Sequence, residues 1–190
     1  MWSQDKIVEY LRSNLRYKRF EHSISVRDTA IKLAKFYKAD VEKARLAGLV
    51  HDCAKDKSGE ELLGIASAAG YHIDEVSMDS PKLLHGVVGA IIAKDVMGIE
   101  DEDVLNAVIY HTTGRKGMSI LEKIIYIADY VEPLREFPGV DKMRQDVYAN
   151  LDSAMLYAFD STLKYVIERG QMIHPFSVEG RNHVIIESRR

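Results

Sequence analysis

The chain has 190 residues, 46% hydrophobic and 29% charged, an ordinary globular composition that allows one sizeable core and excludes global disorder. Lys and Arg number 26 against 29 Asp and Glu, a net charge of −3, so no basic excess points to nucleic acid as a partner. The single cysteine, Cys53, excludes an intrachain disulfide and a Cys-rich zinc site and suits a reducing cytoplasm; no apolar run is long enough for a membrane span, and early charges argue against a signal peptide.

Few prolines and an apolar spacing of three and four predict an all-α fold. A first helix is expected over about Gln4–Leu15 and a second over Glu21–Tyr37, with His22, Val26, Ala30, Leu33 and Tyr37 on its inner stripe. Asp40 is placed to cap a third helix running to about Lys55. Ala44, Ala47, Gly48 and His51 share one of its faces, and Leu46, Leu49, Val50 and Cys53 make the other side apolar. Such a helix belongs at the centre, and its small-residue face admits another backbone beside His51.

Glu60–Ala69 reads as a short helix and Tyr71–Ser80 as a connector. Ser80-Pro81 is a helix start, with Gly98 as the stop after about Met97. A further helix is expected over Asp101–His111. Ser119 and Glu122 form a capping-box pattern opening a helix that ends before Pro133. Asp141–Arg169 is a long helical tract, one helix or two, closed by Gly170. Residues 1–170 are expected to form one helical domain, an all-α bundle, with 171–190 as a C-terminal flap packed on it.

His22, His51, Asp52, His85, His111 and Asp129 all fall on largely apolar helices. Burying such polar groups without partners costs several kcal/mol each, on the order of 2–7. A metal ion would satisfy them together, and helix bundles hold such sites between facing helices. Mixed imidazole and carboxylate ligation suits Fe, Mn, Zn, Co or Ni better than Mg or Ca. His72, His174 and His183 fall outside this order and read as surface or loop residues. Cys53 reads as a buried core thiol.

The order His22, His51-Asp52, Asp129, with His85 and His111 between, resembles the HD superfamily of metal-dependent phosphohydrolases. Arg19 to Ser23, His51 to Lys55, Leu84 to Gly86, Tyr110 to Gly114, Ala128 to Pro133, and Arg135 with Phe137 to Val140 narrow the resemblance. They are similar to the bacterial YqeK-like symmetric diadenosine tetraphosphate hydrolases.

The resemblance implies a helical bundle around a metal site that holds iron, as Fe2+ or Fe3+, in one or two ions. It implies hydrolysis of diadenosine tetraphosphate to two ADP by metal-activated water attacking an inner phosphate. His22, His51, Asp52 and Asp129 would hold the metal, and Asp52, His85, His111 and Lys55 would carry the catalysis. Arg19, Lys55, His85, His111, Thr112 and Arg135 would contact phosphate or nucleotide. The tail departs from the family pattern: His174-Pro175-Phe176-Ser177 and Arg181-Asn182 stand where Pro-Asp-Thr and Tyr-Asn are usual. Phe176, Ser177 and Asn182 are carried over as nucleotide contacts.

Alternatives left open are another nucleotide substrate, di-iron oxygenation, and a sensor that binds nucleotide without turnover. A nucleotide is the expected partner, with no nucleic acid and no membrane, and a homodimer is left open.

Overall fold

A computed structural model describes residues 1–189. Among them are eleven α-helices, one 3-10 turn and no strand. The helices begin where polar caps stand. Ser3 opens α1 (Gln4–Asn14), and Asp40 opens α3 (Val41–Val50) by accepting from the N–H groups of Glu42 and Lys43. Ser58 with Glu61 and Ser119 with Glu122 close complete capping boxes on α4 (Gly59–Ala68) and α8 (Ile120–Val131). Asp101 caps α7 (Glu102–Tyr110).

Several elements differ from the sequence reading or decide what it left open. The helix α2 starts at Tyr17 rather than Glu21 and runs to Tyr37. Its N-terminus is capped from a distance: Asp56 accepts the Arg16 backbone N–H at 2.8 Å. The helix α3 stops at Val50 instead of continuing to Lys55. Beyond it the chain tightens into turns, with N–H groups of Cys53, Lys55 and Lys57 reaching the carbonyls three residues back.

The connector before Pro81 contains a short helix, α5 (Glu75–Asp79), capped by Asp74. Pro81 opens a 3-10 turn (Pro81–Leu84) before α6 (His85–Asp95). The tract after Asp141 is two helices, α9 (Val140–Asp146) and α10 (Leu151–Glu168), the second capped by Asn150. The tail forms a full helix, α11 (Pro175–Glu187), lying against α10.

Helix α2 packs along α3 and α8, and α7 packs on α3, α6 and α8. The core runs between them through Val26, Leu33, Leu49, Val50, Ile124 and Ile127, all fully buried. Two glycines set the closest approaches. A Cβ on Gly48 would stand 2.9 Å from the Arg27 Cα, and one on Gly86 would stand 2.7 Å from the Ile109 carbonyl oxygen. The first contact draws the end of α3 against α2, and so His51 towards His22. The second draws the start of α6 against the end of α7, and so His85 towards His111.

Candidate metal centre

His51 and His111 stand at the C-terminal ends of α3 and α7, and His85 at the start of α6. Each donates Nδ1–H to a carbonyl three residues earlier: Gly48 at 2.8 Å, Lys82 at 2.6 Å and Val108 at 2.7 Å. A neutral ring with Nδ1 protonated leaves Nε2 as a lone-pair donor. His22 comes from the second turn of α2 and donates Nδ1–H to Glu132 Oε1 at 3.0 Å.

The Nε2 atoms converge on Asp52 and Asp129. His22 Nε2 lies 2.9 Å from Asp129 Oδ1 and 3.8 Å from Asp52 Oδ2. His51 Nε2 lies 3.8 Å from Asp52 Oδ2 and 3.9 Å from Asp129 Oδ1. The four imidazoles and Asp52 are buried.

His22 Nε2, His51 Nε2 and Asp52 Oδ1 are buried with no aligned hydrogen-bond partner, the condition a native fold ordinarily avoids. Two overlapping donor groups result, His22 with His51 and Asp129, and His51 with Asp52 and His111; in each, the ligand atoms lie within 4.8 Å of one another. Orphaned nitrogens beside carboxylate oxygens fit a divalent cation, and the two groups share His51.

The electrostatics agree. Burial drives the His51 imidazole down to about 3 and lowers His85 as well, keeping both neutral and able to ligate. Burial would also lower His22, but the carboxylates of Asp129 and Glu132 outweigh it and raise it to about 9 in the metal-free protein. Asp52 and Asp129 feel the opposite pull of burial, yet His51 and Lys55 hold the first, and His22 and Arg135 the second, well below the usual carboxylate range. Cys53, beside the pair, is only 3% exposed; burial pushes its thiol up to about 12 and leaves it unreactive.

Cations surround the cluster. Lys55 Nζ lies 2.8 Å from His85 Nε2 and 3.3 Å from Asp52 Oδ1. The Thr112 hydroxyl is 3.1 Å from the Nε2 atoms of both His85 and His111. Arg135 pairs with Asp129 Oδ1 at 2.5 Å, and Arg19 Nη1 is 3.9 Å from Asp52 Oδ2. A cavity of about 720 Å³ opens beside His22, with Arg16, Lys18, Arg19 and Arg135 on its walls and Glu132 in its lining.

Of the residues singled out in the sequence, the fold thus gathers His22, Arg19, His51, Asp52, Lys55, His85, His111, Thr112, Asp129 and Arg135. The tail residues have other partners. Phe176 packs edge-on against Tyr110, and the buried Ser177 donates its hydroxyl to the Thr113 carbonyl at 2.9 Å. Asn182 is exposed on α11. His174, read as a loop residue, caps α11 and faces Asp74 at 3.4 Å.

Glu132 and Arg144 carry structure around the site that sequence reasoning missed. Glu132 is 1% exposed, and a carboxylate set between Val131 and Pro133 at the end of an apolar helix was the available signal. Arg144 donates to the carbonyls of Val131, Glu132 and Arg135 at 2.9, 2.8 and 2.7 Å, and nothing local in the sequence announces it.

Histidines and aspartates gathered inside a helical bundle, in groups that could hold a metal ion, define the class: an HD-type protein. The family model described as "HD domain" matches residues 19–134, and the chain belongs to that family. Its relatives narrow the kinship. It is 38% identical over 187 residues to the "Bis(5'-nucleosyl)-tetraphosphatase, symmetrical" of Halalkalibacterium halodurans, spanning 98% of this chain and 100% of that one. It is 36% identical to the protein of the same name from Bacillus subtilis, over 91% of this chain and 92% of that one. A crystal structure from Clostridium acetobutylicum, described as a predicted HD superfamily hydrolase involved in NAD metabolism, superposes with a TM-score of 0.96. It is 53% identical and covers 100% of both chains. No helix among the described residues is long and apolar enough to cross a membrane.

Proposed function

We propose that this chain is a metal-dependent phosphohydrolase that splits diadenosine tetraphosphate symmetrically into two ADP. One observation carries the reading: the orphaned donors of His22, His51 and Asp52 meet Asp129 beside a cavity walled by arginines. Near-complete relatives named as symmetrical tetraphosphatases support the substrate.

In this reading His22, His51, Asp52 and Asp129 hold the metal, with iron as the proposed ion and Mn, Co, Ni or Zn as substitutes. A bound divalent cation supplies acidified water and charge stabilisation at a phosphoryl oxygen. His85, His111, Lys55 and Thr112 stand on one side of Asp52, as donors and acceptors for phosphate or as ligands of a second ion. Arg19 and Arg135 reach Asp52 and Asp129 while also walling the cavity. There they would bind and orient the polyphosphate and offset the charge that develops on it. Lys55 Nζ donates to His85 Nε2, so a proton held between these two atoms is positioned for a departing phosphate oxygen.

The test is a product assay. Protein purified anaerobically and reconstituted with ferrous iron is given diadenosine tetraphosphate, and the nucleotides are separated by chromatography. ADP alone is the expected product. ATP with AMP would overturn the cleavage position, and no turnover with metal bound would favour a nucleotide sensor.

A further inference from the structure

Three of the four imidazoles fix their own ligand nitrogens. His51, His85 and His111 give Nδ1–H to the carbonyls of Gly48, Lys82 and Val108. The Gly48 and Val108 carbonyls lie in the closing turns of α3 and α7, and the Lys82 carbonyl in the 3-10 turn before α6, where it also accepts the His85 backbone N–H. His22 has no such acceptor. It sits inside α2, where the preceding carbonyls serve the ladder and the Arg19 carbonyl also receives the Ser23 hydroxyl. Its ring must find a partner from another element.

Glu132 supplies it. Oε1 accepts His22 Nδ1–H at 3.0 Å, across 110 positions of sequence. The other oxygen, Oε2, accepts the Leu134 N–H at 2.6 Å, so both ends of the carboxylate are committed. The turn that carries it is fastened by Arg144, whose guanidinium bonds the carbonyls of Val131, Glu132 and Arg135. A carboxylate held at both oxygens on a fastened turn has little freedom to release the ring.

We propose that Glu132 is the positioning residue of the centre: it keeps the His22 proton on Nδ1 and so presents the Nε2 lone pair beside His51 and Asp129. The proposal rests on the reading that this ring of donors binds a divalent cation. Glutamine at 132 has the shape of glutamate but only one acceptor oxygen. It must abandon the Leu134 N–H, or turn its amide towards His22 and favour the tautomer protonated at Nε2.

The experiment measures Mn2+ affinity by electron paramagnetic resonance for wild type, Glu132→Gln and Glu122→Gln. Glu122 is equally buried, but its bonds go to Arg115 and Ser119. Wild type should bind Mn2+, and Glu132→Gln should bind about 10–100-fold more weakly. Glu122→Gln should lose thermal stability with its Mn2+ affinity intact. Nitrogen chemical shifts of labelled histidines in the zinc-loaded protein should show His22 protonated at Nδ1 in wild type, with that signature lost or mixed in Glu132→Gln. Unchanged affinity and tautomer in Glu132→Gln would overturn the proposal. Failure of wild type to bind Mn2+ would instead overturn the metal reading beneath it. If Glu132→Gln does not fold by circular dichroism, Glu132→Asp carries the comparison, because its shorter reach should also weaken binding; wild-type affinity there overturns the proposal.

Discussion

The Asp52 carboxylate faces His85 across two helix ends: Oδ1 lies 3.1 Å from Nε2, a nitrogen left without a proton because Nδ1 donates to the Lys82 carbonyl. His111 repeats the arrangement at 3.3 Å. Lone pairs therefore face a carboxylate in a buried space, with the Lys55 ammonium meeting His85 and Asp52 from one side, and a bound cation would satisfy the remaining donors. Asp52→Asn keeps the shape and removes the charge. Mn2+ binding should fall by more than about 100-fold, as expected for loss of a direct ligand rather than its supporting shell. The metal-free variant should unfold below the wild-type midpoint, because Asp52 is a carboxylate depressed by folding and the nearby Lys55 ammonium loses its partner. Calorimetry with and without Mn2+ checks both, and a midpoint raised equally by Mn2+ in both proteins would contradict the assignment. Asp52→Ala should likewise abolish tight metal binding and hydrolysis.

Gly86→Ala tests how the two helix ends are brought together. The added Cβ would meet the Ile109 carbonyl oxygen at 2.7 Å and that of Val108 at 2.8 Å, and backbone cannot step aside as a side chain can. Overpacking of this kind costs about 1–3 kcal/mol. Because Val108 is also the acceptor that sets the His111 ring, metal affinity should fall along with the unfolding midpoint. An unchanged midpoint in thermal denaturation would count against the close approach.

Asp56 fastens the start of α2 to the turn after His51, accepting both the Arg16 N–H and its guanidinium at 2.8 Å. Partial burial pushes its carboxyl up, but the bonds from Arg16 outweigh this and hold it below its ordinary value of 3.8. A carboxyl depressed by folding stabilises the protein above its unfolded value, and that stability is lost as pH falls through the folded one. Asp56→Asn should therefore cost about 1 kcal/mol at neutral pH, with Arg16 largely exposed. Its deficit against wild type should shrink below about pH 4. Urea titrations across pH measure this, and a deficit that grows in acid would reverse the assignment.

Ser177→Ala separates anchoring from substrate contact. Its hydroxyl is buried and given to the Thr113 carbonyl. Removing it leaves that acceptor unmet and should cost about 1–3 kcal/mol. The KM for diadenosine tetraphosphate should stay within about twofold, under about 0.5 kcal/mol. A tenfold rise in KM with no change in unfolding midpoint would make Ser177 a nucleotide contact.

What sequence reasoning could see was local. Cap residues stand beside the helices they open, so Asp40 and Ser119 were legible. The four histidines and two aspartates were legible through their order along apolar helices. What it missed comes from far along the chain. The early start of α2 depends on Asp56, forty positions away. The end of α3 at Val50 follows from turns that present His51 and Asp52 in different directions, which helical periodicity cannot express. Glu132 and Arg144 act through a turn whose geometry exists only once α8 and α9 are packed. The tail was read by analogy as a nucleotide contact; that Phe176 meets Tyr110 and Ser177 meets Thr113 is a matter of packing that no local pattern expresses.

The span between His22 and Glu132 also has a meaning in time. A chain is made from its N-terminus, and His22, His51, Asp52, His85 and His111 all emerge before Asp129 and the glutamate that orients the first ring. A growing polypeptide can therefore display five of the six donors while His22 still turns freely. Tight capture of an ion would then mark the moment when α8 has closed over the earlier helices. Ribosome-bound chains halted before residue 129 should hold metal only loosely.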